Sequence, residues 1–559
     1  MMRIKQSVHT ALLLGFILLV AALLRFYQLG AVPSGLQKDE VSFLVNTMAL
    51  KATGRDEDNR AHPLYLQSII DPKPALISYL QIPSIALFGE NTFAARFPVV
   101  MAGLLSLVTV FFFIKEVLDE LYAFIVTGIL AISPWHIVAS RATYEVIFSF
   151  LFSVLTLHLF IRIVRSSHRS WWEVACGICA FILAVYLYHS TKIFLPSSLV
   201  LSYFIYRPQK EKFPSKKTIG FLLVSFCAVL FFTFFVKDAT KRFASVGLFA
   251  DPSPMIIANE QGTDATGKLP LLYMRAYYNK VVVYGKAFLE NYLSYFDPRL
   301  YFFQIAQPVR YQIPLQGVLY IVELFLFFIG LIVALTRPKL RQKFLLFWGI
   351  FLIAPIPAAL TTIEVPSMIR SFPIILSFAV CIATGLIWIV QLRPVWLKRL
   401  GLVVVSVGYA YCIVFFLGQF FVQQPSYQSW YRNVADEHMA ALVKKYQSSY
   451  SSILVTTYYA EPYLYLVRSH AISVQQLQAS YPARMQKQFS LANITFVPGE
   501  CDVVPDYHTL MVTYSGCRFS YLYKIIDTAS YDDGTPAYYF VIYSPPPDIR
   551  TPDKQAHKI

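Results

Sequence analysis

Long apolar runs separated by short polar connections fill the first three quarters of the chain. Eleven of them approach the length of roughly 20 residues that a membrane helix needs: Thr10–Leu29, Phe97–Ile114, Leu121–Trp135, Val146–Val164, Trp171–Tyr188, Ile193–Tyr206, Ile219–Val236, Leu315–Leu335, Phe344–Leu360, Ser371–Val390 and Leu400–Phe421. The pattern predicts a polytopic α-helical membrane protein with about 11 transmembrane helices. The first run is too long for a signal-peptide core and lacks a small-residue cleavage site, so it reads as an uncleaved helix.

Past Phe421 the texture changes. A helix is predicted near Val434–Tyr446, followed by short β-rich runs at Ile453–Thr457, Thr509–Tyr514 and Tyr538–Tyr543 with turn residues between them. The division is therefore a transmembrane domain over 1–421 and a small C-terminal α/β domain over 422–559. Within the first connection, 30–96, the stretch Asp39–Lys51 carries Val41, Leu44, Val45 and Met48 at helical spacing and stops at Gly54. That spacing predicts an amphipathic helix lying on the bilayer surface. A second helix, Ala75–Phe88, follows Pro72-Lys73-Pro74, and Pro545-Pro546-Pro547 begins a tail.

Composition agrees with a membrane protein. Of 559 residues 56% are hydrophobic and 14% charged, against about 25% charged in ordinary soluble chains. A soluble enzyme, a disordered chain and a coiled coil are excluded. The net charge of +16 would suit nucleic acid or anionic lipid, and the distribution of the cations decides between these and topology. Arg3, Lys5, Lys115, Arg162, Arg165, Arg169, Arg207, Lys210, Lys212, Lys216, Lys217, Arg337, Lys339, Arg341, Lys343, Arg393, Lys398 and Arg399 fall in alternate connections and helix ends. By the positive-inside rule these are cytoplasmic. With the acids beside them they account for +13 of the +16, so no nucleic-acid partner is expected. The N-terminus is then cytoplasmic. The first connection, the large connection 237–314 and the domain over 422–559 are extracytoplasmic. The chain is expected to lie in the plasma membrane of a bacterium, surrounded by membrane lipids.

The residues that could carry chemistry gather on the external side. Asp39 and Glu40 sit at the mouth of the first helix, where a carboxylate can take a proton from a hydroxyl; helix capping and dipole compensation explain the same pair equally well. Lys73, Arg96, Arg141, Glu145, His189, Lys192 and Arg370 lie at the outer helix ends. Several cations at one depth suit a phosphate, although snorkelling accounts for any one of them. Cys176, Cys179, Cys227, Cys381 and Cys412 occupy apolar runs and read as small buried hydrophobes. The spacing Cys176-Gly177-Ile178-Cys179 has no second ligand pair and is assigned to packing. Cys501 and Cys517 lie in polar external sequence and are candidates for a disulfide. The sequon Asn493-Ile494-Thr495 is given no role. No metal-ligand set is visible and no cofactor is called for; a divalent metal stays open, since acids are available.

Asp39-Glu40, then Lys73-Pro74-Ala75-Leu76 with Tyr79, Phe88-Gly89, Ala94-Ala95-Arg96-Phe97-Pro98, Gly103-Leu104, Ser133-Pro134-Trp135 and Ser140-Arg141 before Glu145 follow one another in the first 200 residues. This order resembles the protein O-mannosyltransferase and aminoarabinose lipid A transferase superfamily, whose members are membrane glycosyltransferases of the GT-C fold, as in glycosyltransferase family 39. The resemblance implies a sugar donor carried on polyprenyl phosphate and a lipid, glycan or protein hydroxyl as acceptor. It implies that Asp39 is the catalytic base and that Glu145, where relatives usually have Asp, is a second acid. Lys73 matches the Lys of a Lys-Pro-Pro motif near the carrier phosphate, with Ala75 replacing the second Pro. Lys192 resembles the Lys that follows the fifth helix. Arg370 looks like the Arg of a Pro-His-x-x-Arg pattern, with Ser367 in place of His.

The reaction implied is inverting transfer of a hexose or pentose at the external face. Arg96 joins the lysines and Arg370 around the departing phosphate. Two other readings stand beside it. A secondary transporter or lipid-linked sugar flippase would place ionisable residues near mid-membrane, whereas Arg25 and Glu323 are the only clear charges inside the predicted spans away from the cytoplasmic helix ends, and both can lie near an outer end. A catalytically silent member would keep the fold and bind a surface partner.

Overall fold

The computed structural model describes residues 2–68, 72–166, 169–208, 213–236, 246–264, 266–303, 307–427, 429–457, 461–481, 484, 486, 488–498, 508–517 and 523–544. Cys501, the Pro545-Pro546-Pro547 tail and part of the large connection 237–314 lie outside the described residues. Fourteen helices carry the argument, in chain order: α1 Met2–Phe26, α2 Lys38–Thr53, α3 Leu76–Phe88, α4 Thr92–Val117, α5 Glu120–Ile132, α6 Val146–Arg165, α7 Trp171–Leu187, α8 Thr191–Tyr206, α9 Lys216–Leu230, α10 Ile321–Thr336, α11 Pro338–Lys343, α12 Ile375–Val390, α13 Val395–Gly418 and α14 Val434–Tyr446. The strands are β1 Ser452–Thr457, β2 Phe489–Leu491, β3 Ile494–Pro498, β4 Thr509–Tyr514, β5 Tyr523–Ser530 and β6 Pro536–Tyr543.

The chain forms two compact units. The membrane unit comprises Met1–Pro33, Ile70–Ile77 and Arg96–Gln424; the smaller unit comprises Ser34–Ile69, Ser78–Ala95 and Pro425–Ile559. The smaller unit thus takes in most of the first connection, which the sequence pattern had grouped with residues 1–421.

Among the described residues of the membrane unit and its continuations, six helices are long and apolar enough to cross a membrane: Val8–Phe26, Thr92–Val117, Val146–Arg165, Lys216–Phe235, Phe372–Val390 and Val395–Tyr427. Shorter apolar helices accompany them, including Glu120–Ile132, Trp171–Leu187 and Ile321–Thr336. With no hydrophobic drive between helices in lipid, close packing depends on small residues. α10 and α12 show this. A Cβ built on Gly330 would stand 1.8 Å from the Cys381 carbonyl oxygen, and one on Gly385 would stand 2.1 Å from that of Leu326. Cys381 and Cys412 are buried, as expected, but Cys176, Cys179 and Cys227 are exposed. In a membrane helix the lipid face is as apolar as the packed face, so an apolar run does not reveal which face a cysteine occupies. The large connection contains helices of its own, Ser253–Asp264, Leu271–Tyr277 and Lys280–Ser294.

The two charges found within apolar runs have local partners. Glu323 is the third residue of α10 and accepts the Tyr320 backbone N–H at 3.0 Å, closing a capping box, and Tyr409 Oη donates to it at 3.1 Å. The Arg25 side chain donates to Ala21 O at 3.0 Å, Ala131 O at 2.9 Å and Ser140 Oγ at 2.9 Å, and meets His136 Nδ1 at 2.9 Å. A guanidinium only donates, so His136 Nδ1 accepts, and its Nε2–H then donates to Ser106 Oγ at 3.0 Å. Gly103 fits closely here, because a Cβ would meet Ser140 Cβ at 2.5 Å.

The smaller unit is built on a six-stranded sheet in the order β2-β3-β1-β4-β6-β5. β1 runs parallel to β3 and β4, with Ile453 opposite Ile494 on one side and Leu510 on the other, and the remaining pairs are antiparallel. Val41, Leu44, Val45 and Met48 of α2 share one core with Met439 and Val443 of α14 and with Ile453, Phe496, Val512 and Phe540 of the sheet. This corrects the expectation of a surface helix: α2 is buried at every position from Glu40 to Leu50. Its polar face is satisfied internally. Asn46 Nδ2 donates to Ser42 O at 2.9 Å, Thr47 Oγ1 to Gln81 Oε1 at 2.7 Å, and the Glu57 N–H donates to Asn46 Oδ1 at 3.0 Å. Gly54 ends the helix in the left-handed conformation, φ +71°.

Candidate functional site

In the smaller unit the Asp39-Glu40 pair divides its roles. α2 is capped by Gln37, whose side chain accepts the Asp39 N–H at 2.9 Å, while Glu40 reaches back to the Gln37 N–H at 3.3 Å. Glu40 also forms an ion pair with Arg432, and both side chains are fully buried. Arg432 holds the approach to the helix as well, through Ser34 O at 2.8 Å and Gly35 O at 3.3 Å. Gly35 has φ +60°, and a Cβ there would crowd Val434 and the Arg432 carbonyl. Glu40 is therefore part of the framework. Gln37, not Asp39, is the cap of α2, and the Asp39 carboxylate is half-buried in the first turn.

In the membrane unit two of the expected phosphate cations have another task. Arg141 donates to the carbonyl oxygens of Leu24, Arg25, Tyr27 and Val32 at 2.7 to 2.8 Å and lies over the rings of Phe420 and Phe421. Arg96 donates to Leu29 O at 3.2 Å and Pro33 O at 2.8 Å. Both are fully buried. Together they donate to carbonyls at the end of α1 and in the turns that follow it, groups that the helix itself leaves without a donor.

Of the remaining candidates, Arg370 lines a cavity, and Glu145, His189 and Lys192 are chain neighbours of other residues that line it. This small cavity of about 10 Å³, room for about one water, is lined by Val146, Ser149, Ser153, Tyr188, Ser190, Thr191 and Arg370 among others. It joins the start of α6, where Glu145 is buried beside Val146, to the turn holding His189 and Lys192, and to Arg370. Glu145 occupies the cap position of α6, but its side chain makes no capping bond. Ser149 Oγ lies 2.7 Å from Thr191 Oγ1, tying α6 to α8. Lys192 Nζ donates to Phe232 O at 3.1 Å. Arg370 donates to Thr361 Oγ1 at 3.0 Å and to Ile363 O, and stands 4.0 Å from Glu364. Lys73 is buried in the short extended segment Lys73–Pro74, and the following Leu76 N–H donates to Tyr186 Oη of α7 at 3.4 Å. Tyr144 adds an aromatic wall with Tyr188 and Tyr311, centroids 6.1 and 5.8 Å away.

Ser149 and Ser153 were not singled out from the sequence, yet Glu145, Ser149 and Ser153 recur every four residues and so share one helix face. Ser367, standing where a His was expected, is held through its N–H by Tyr295 Oη at 2.7 Å. Cys517 is disulfide-bonded; its expected partner Cys501 lies outside the described residues. Among the described residues no group of three or more His, Cys, Asp or Glu is placed to hold a metal ion.

Residues 72–236 match the family described as dolichyl-phosphate-mannose-protein mannosyltransferase. The match bears out the resemblance drawn from the residues, and it spans Lys73, Arg96, Arg141, Glu145, His189 and Lys192. No curated protein matches the chain. Among solved structures, the chain aligns with the oligosaccharyltransferase of Archaeoglobus fulgidus tethered with an acceptor peptide at 12% identity and TM-score 0.47, over 82% of this chain and 63% of that one. It also aligns with ArnT from Cupriavidus metallidurans bound to undecaprenyl phosphate at 11% identity and TM-score 0.46, over 96% of this chain and 98% of that one. The chain thus spans less than two thirds of the archaeal enzyme.

Proposed function

We propose that the protein is an inverting glycosyltransferase of the GT-C type that moves a sugar from a polyprenyl-phosphate carrier to a hydroxyl acceptor at the external face of the plasma membrane. The observation that carries this reading is the match of residues 72–236 to the mannosyltransferase family, because that segment contains Lys73, Glu145 and Lys192, three of the polar groups around which the chemistry is built. The eleven-span topology, with a cytoplasmic N-terminus and the smaller unit outside, belongs to the same reading.

In the proposed reaction the acceptor oxygen attacks the anomeric carbon and its proton passes to the Asp39 carboxylate. The bond from the anomeric carbon to the phosphate oxygen breaks with inversion, and the electron pair leaves on polyprenyl phosphate. Lys73, Lys192 and Arg370 stabilise that charge as it develops, and Glu145 acts as a second acid near the acceptor. Arg96 and Arg141 position the end of α1 and take no part in the transfer itself. The acceptor is a lipid, glycan or protein hydroxyl, and the sugar a hexose or pentose.

The test uses the purified full-length protein with a panel of polyprenyl-phosphate sugars, reading free polyprenyl phosphate by mass spectrometry. Release that depends on an acceptor and is lost in Asp39→Asn supports the reading. A sugar that crosses a vesicle membrane while keeping its carrier would instead support a flippase, and full release by Asp39→Asn would remove Asp39 as the base.

A further inference from the structure

A second cavity of the membrane unit is lined by none of the candidate site residues named above. Its volume is about 290 Å³, and it is framed by Tyr122 at the start of α5, Arg337 just after α10, Lys339 and Lys343 of α11, and Thr384 and Trp388 near the end of α12. That is far more space than a water molecule needs. Its charge is one-sided. Three other cations of the same set of connections are paired with acids, Lys115 with Glu120 at 3.2 Å, Arg162 with Glu173 at 2.5 Å, and Arg165 with Glu116 at 2.8 Å. Among the described residues, no carboxylate lies within ion-pair distance of Arg337, Lys339 or Lys343. Asp119, at the start of α5, is engaged in capping, where it accepts the Tyr122 N–H at 3.0 Å.

The neutral part of the lining suits a headgroup-depth site. The Thr384 and Tyr122 hydroxyls lie 3.4 Å apart, and Trp388 supplies an amphipathic ring of the kind enriched where bilayer meets water. Scattered topological cations would snorkel outward separately. These three, although exposed, line one concave space bordered by α5, α10, α11 and α12, an arrangement suited to a lipid phosphate between membrane helices.

We propose that this cavity binds a phosphate group through Arg337, Lys339 and Lys343, either the headgroup phosphate of an anionic lipid in the adjoining leaflet or a free phosphate. The site is separate from the proposed transfer chemistry and does not depend on it.

Three forms of the full-length protein test this: the wild type, Arg337→Gln/Lys339→Gln/Lys343→Gln, and Arg393→Gln/Arg399→Gln. The last removes two cations of the same set that do not line the cavity. Native mass spectrometry after reconstitution with phosphatidylglycerol reads retained lipid, and melting with inorganic phosphate reads the soluble ligand. The lipid source predicts about a tenfold loss of retained phosphatidylglycerol in the triple variant alone. The free-phosphate source predicts a phosphate-dependent rise in melting temperature that the triple variant lacks. Equal lipid retention in all three forms with no phosphate shift would overturn the proposal, as would an equal loss in the Arg393/Arg399 variant. Should the triple variant elute as aggregate, Lys339→Gln/Lys343→Gln replaces it, and Lys339→Arg/Lys343→Arg should retain binding.

Discussion

Arg432 and Glu40, nearly four hundred residues apart, form a fully buried ion pair in the smaller unit. Removing one partner of such a pair leaves the other charge without compensation, at a cost of about 3 to 5 kcal/mol. Glu40→Gln should therefore lower the melting temperature sharply, while each folded molecule keeps its transfer rate. Asp39→Asn should do the reverse, losing turnover with little change in melting. Chemical denaturation combined with product release per folded molecule separates the two. Loss of turnover in folded Glu40→Gln would show that the wrong acid has been given the catalytic role.

At the donor side, Lys192 and Arg370 are expected to contribute through charged hydrogen bonds to phosphate, each worth about 1.5 to 3 kcal/mol. Lys192→Gln and Arg370→Gln should each weaken kcat/KM for the donor by about ten- to a hundredfold. Arg370 also ties Thr361 and Ile363 in place, so Arg370→Lys is the needed comparison. It should restore part of the rate if charge matters, and none if the carbonyl contacts are all that counts. Arg141→Lys, by contrast, should reduce folded yield, because a single ammonium cannot replace a fork that reaches four carbonyls.

Gly330 and Gly385 allow α10 and α12 to approach at backbone contact. Alanine at either position would place a methyl inside the van der Waals radius of a carbonyl oxygen, so the helices must separate. Overpacking of this kind typically costs about 1 to 3 kcal/mol. Both variants should melt lower in detergent. Gly128→Ala, whose Cβ meets nothing within 4 Å, should melt as the wild type does. Equal behaviour of all three would mean that the crossing is looser than described.

The helix Val434–Tyr446 and the strand Thr509–Tyr514 stand where the pattern places them, the helix because one apolar face packs on the core, the strand because a short apolar run is buried on both faces. α2 was misread for an instructive reason. Its apolar stripe looks like half of an amphipathic helix, and nothing in the local pattern reveals that Asn46 and Thr47 bond to the Ser42 and Phe43 carbonyls of their own helix and Thr47 also to Gln81. Arg96 and Arg141 show the opposite limit. A cation at a helix mouth carries the same sequence signal whether it meets a phosphate or the carbonyls of a helix end. The face carrying Glu145, Ser149 and Ser153 was legible at a spacing of four, but serine in a membrane helix is so often satisfied by its own backbone that spacing alone does not mark a cavity.

Asp436 gives the smaller unit an unusual pH response. It is buried in α14, accepts from Tyr538 Oη at 2.5 Å and Asn433 Nδ2 at 3.1 Å, and burial pushes its carboxyl up to about 6, with Glu437 adding to the rise. An unfolded aspartate titrates near 3.8. The folded state therefore favours the protonated acid. The stabilisation is complete below pH 3.8, falls as pH rises towards 6, and is absent above it, a change on the order of 3 kcal/mol. Asp436→Asn removes this titration and should flatten the pH dependence between those limits. Hydrogen exchange of β4 and β6, corrected for the intrinsic rate at each pH, reads the local opening free energy. Wild type should open more readily at pH 7 than at pH 4.5 relative to Asp436→Asn, and parallel curves for the two proteins would show that Asp436 does not control the difference.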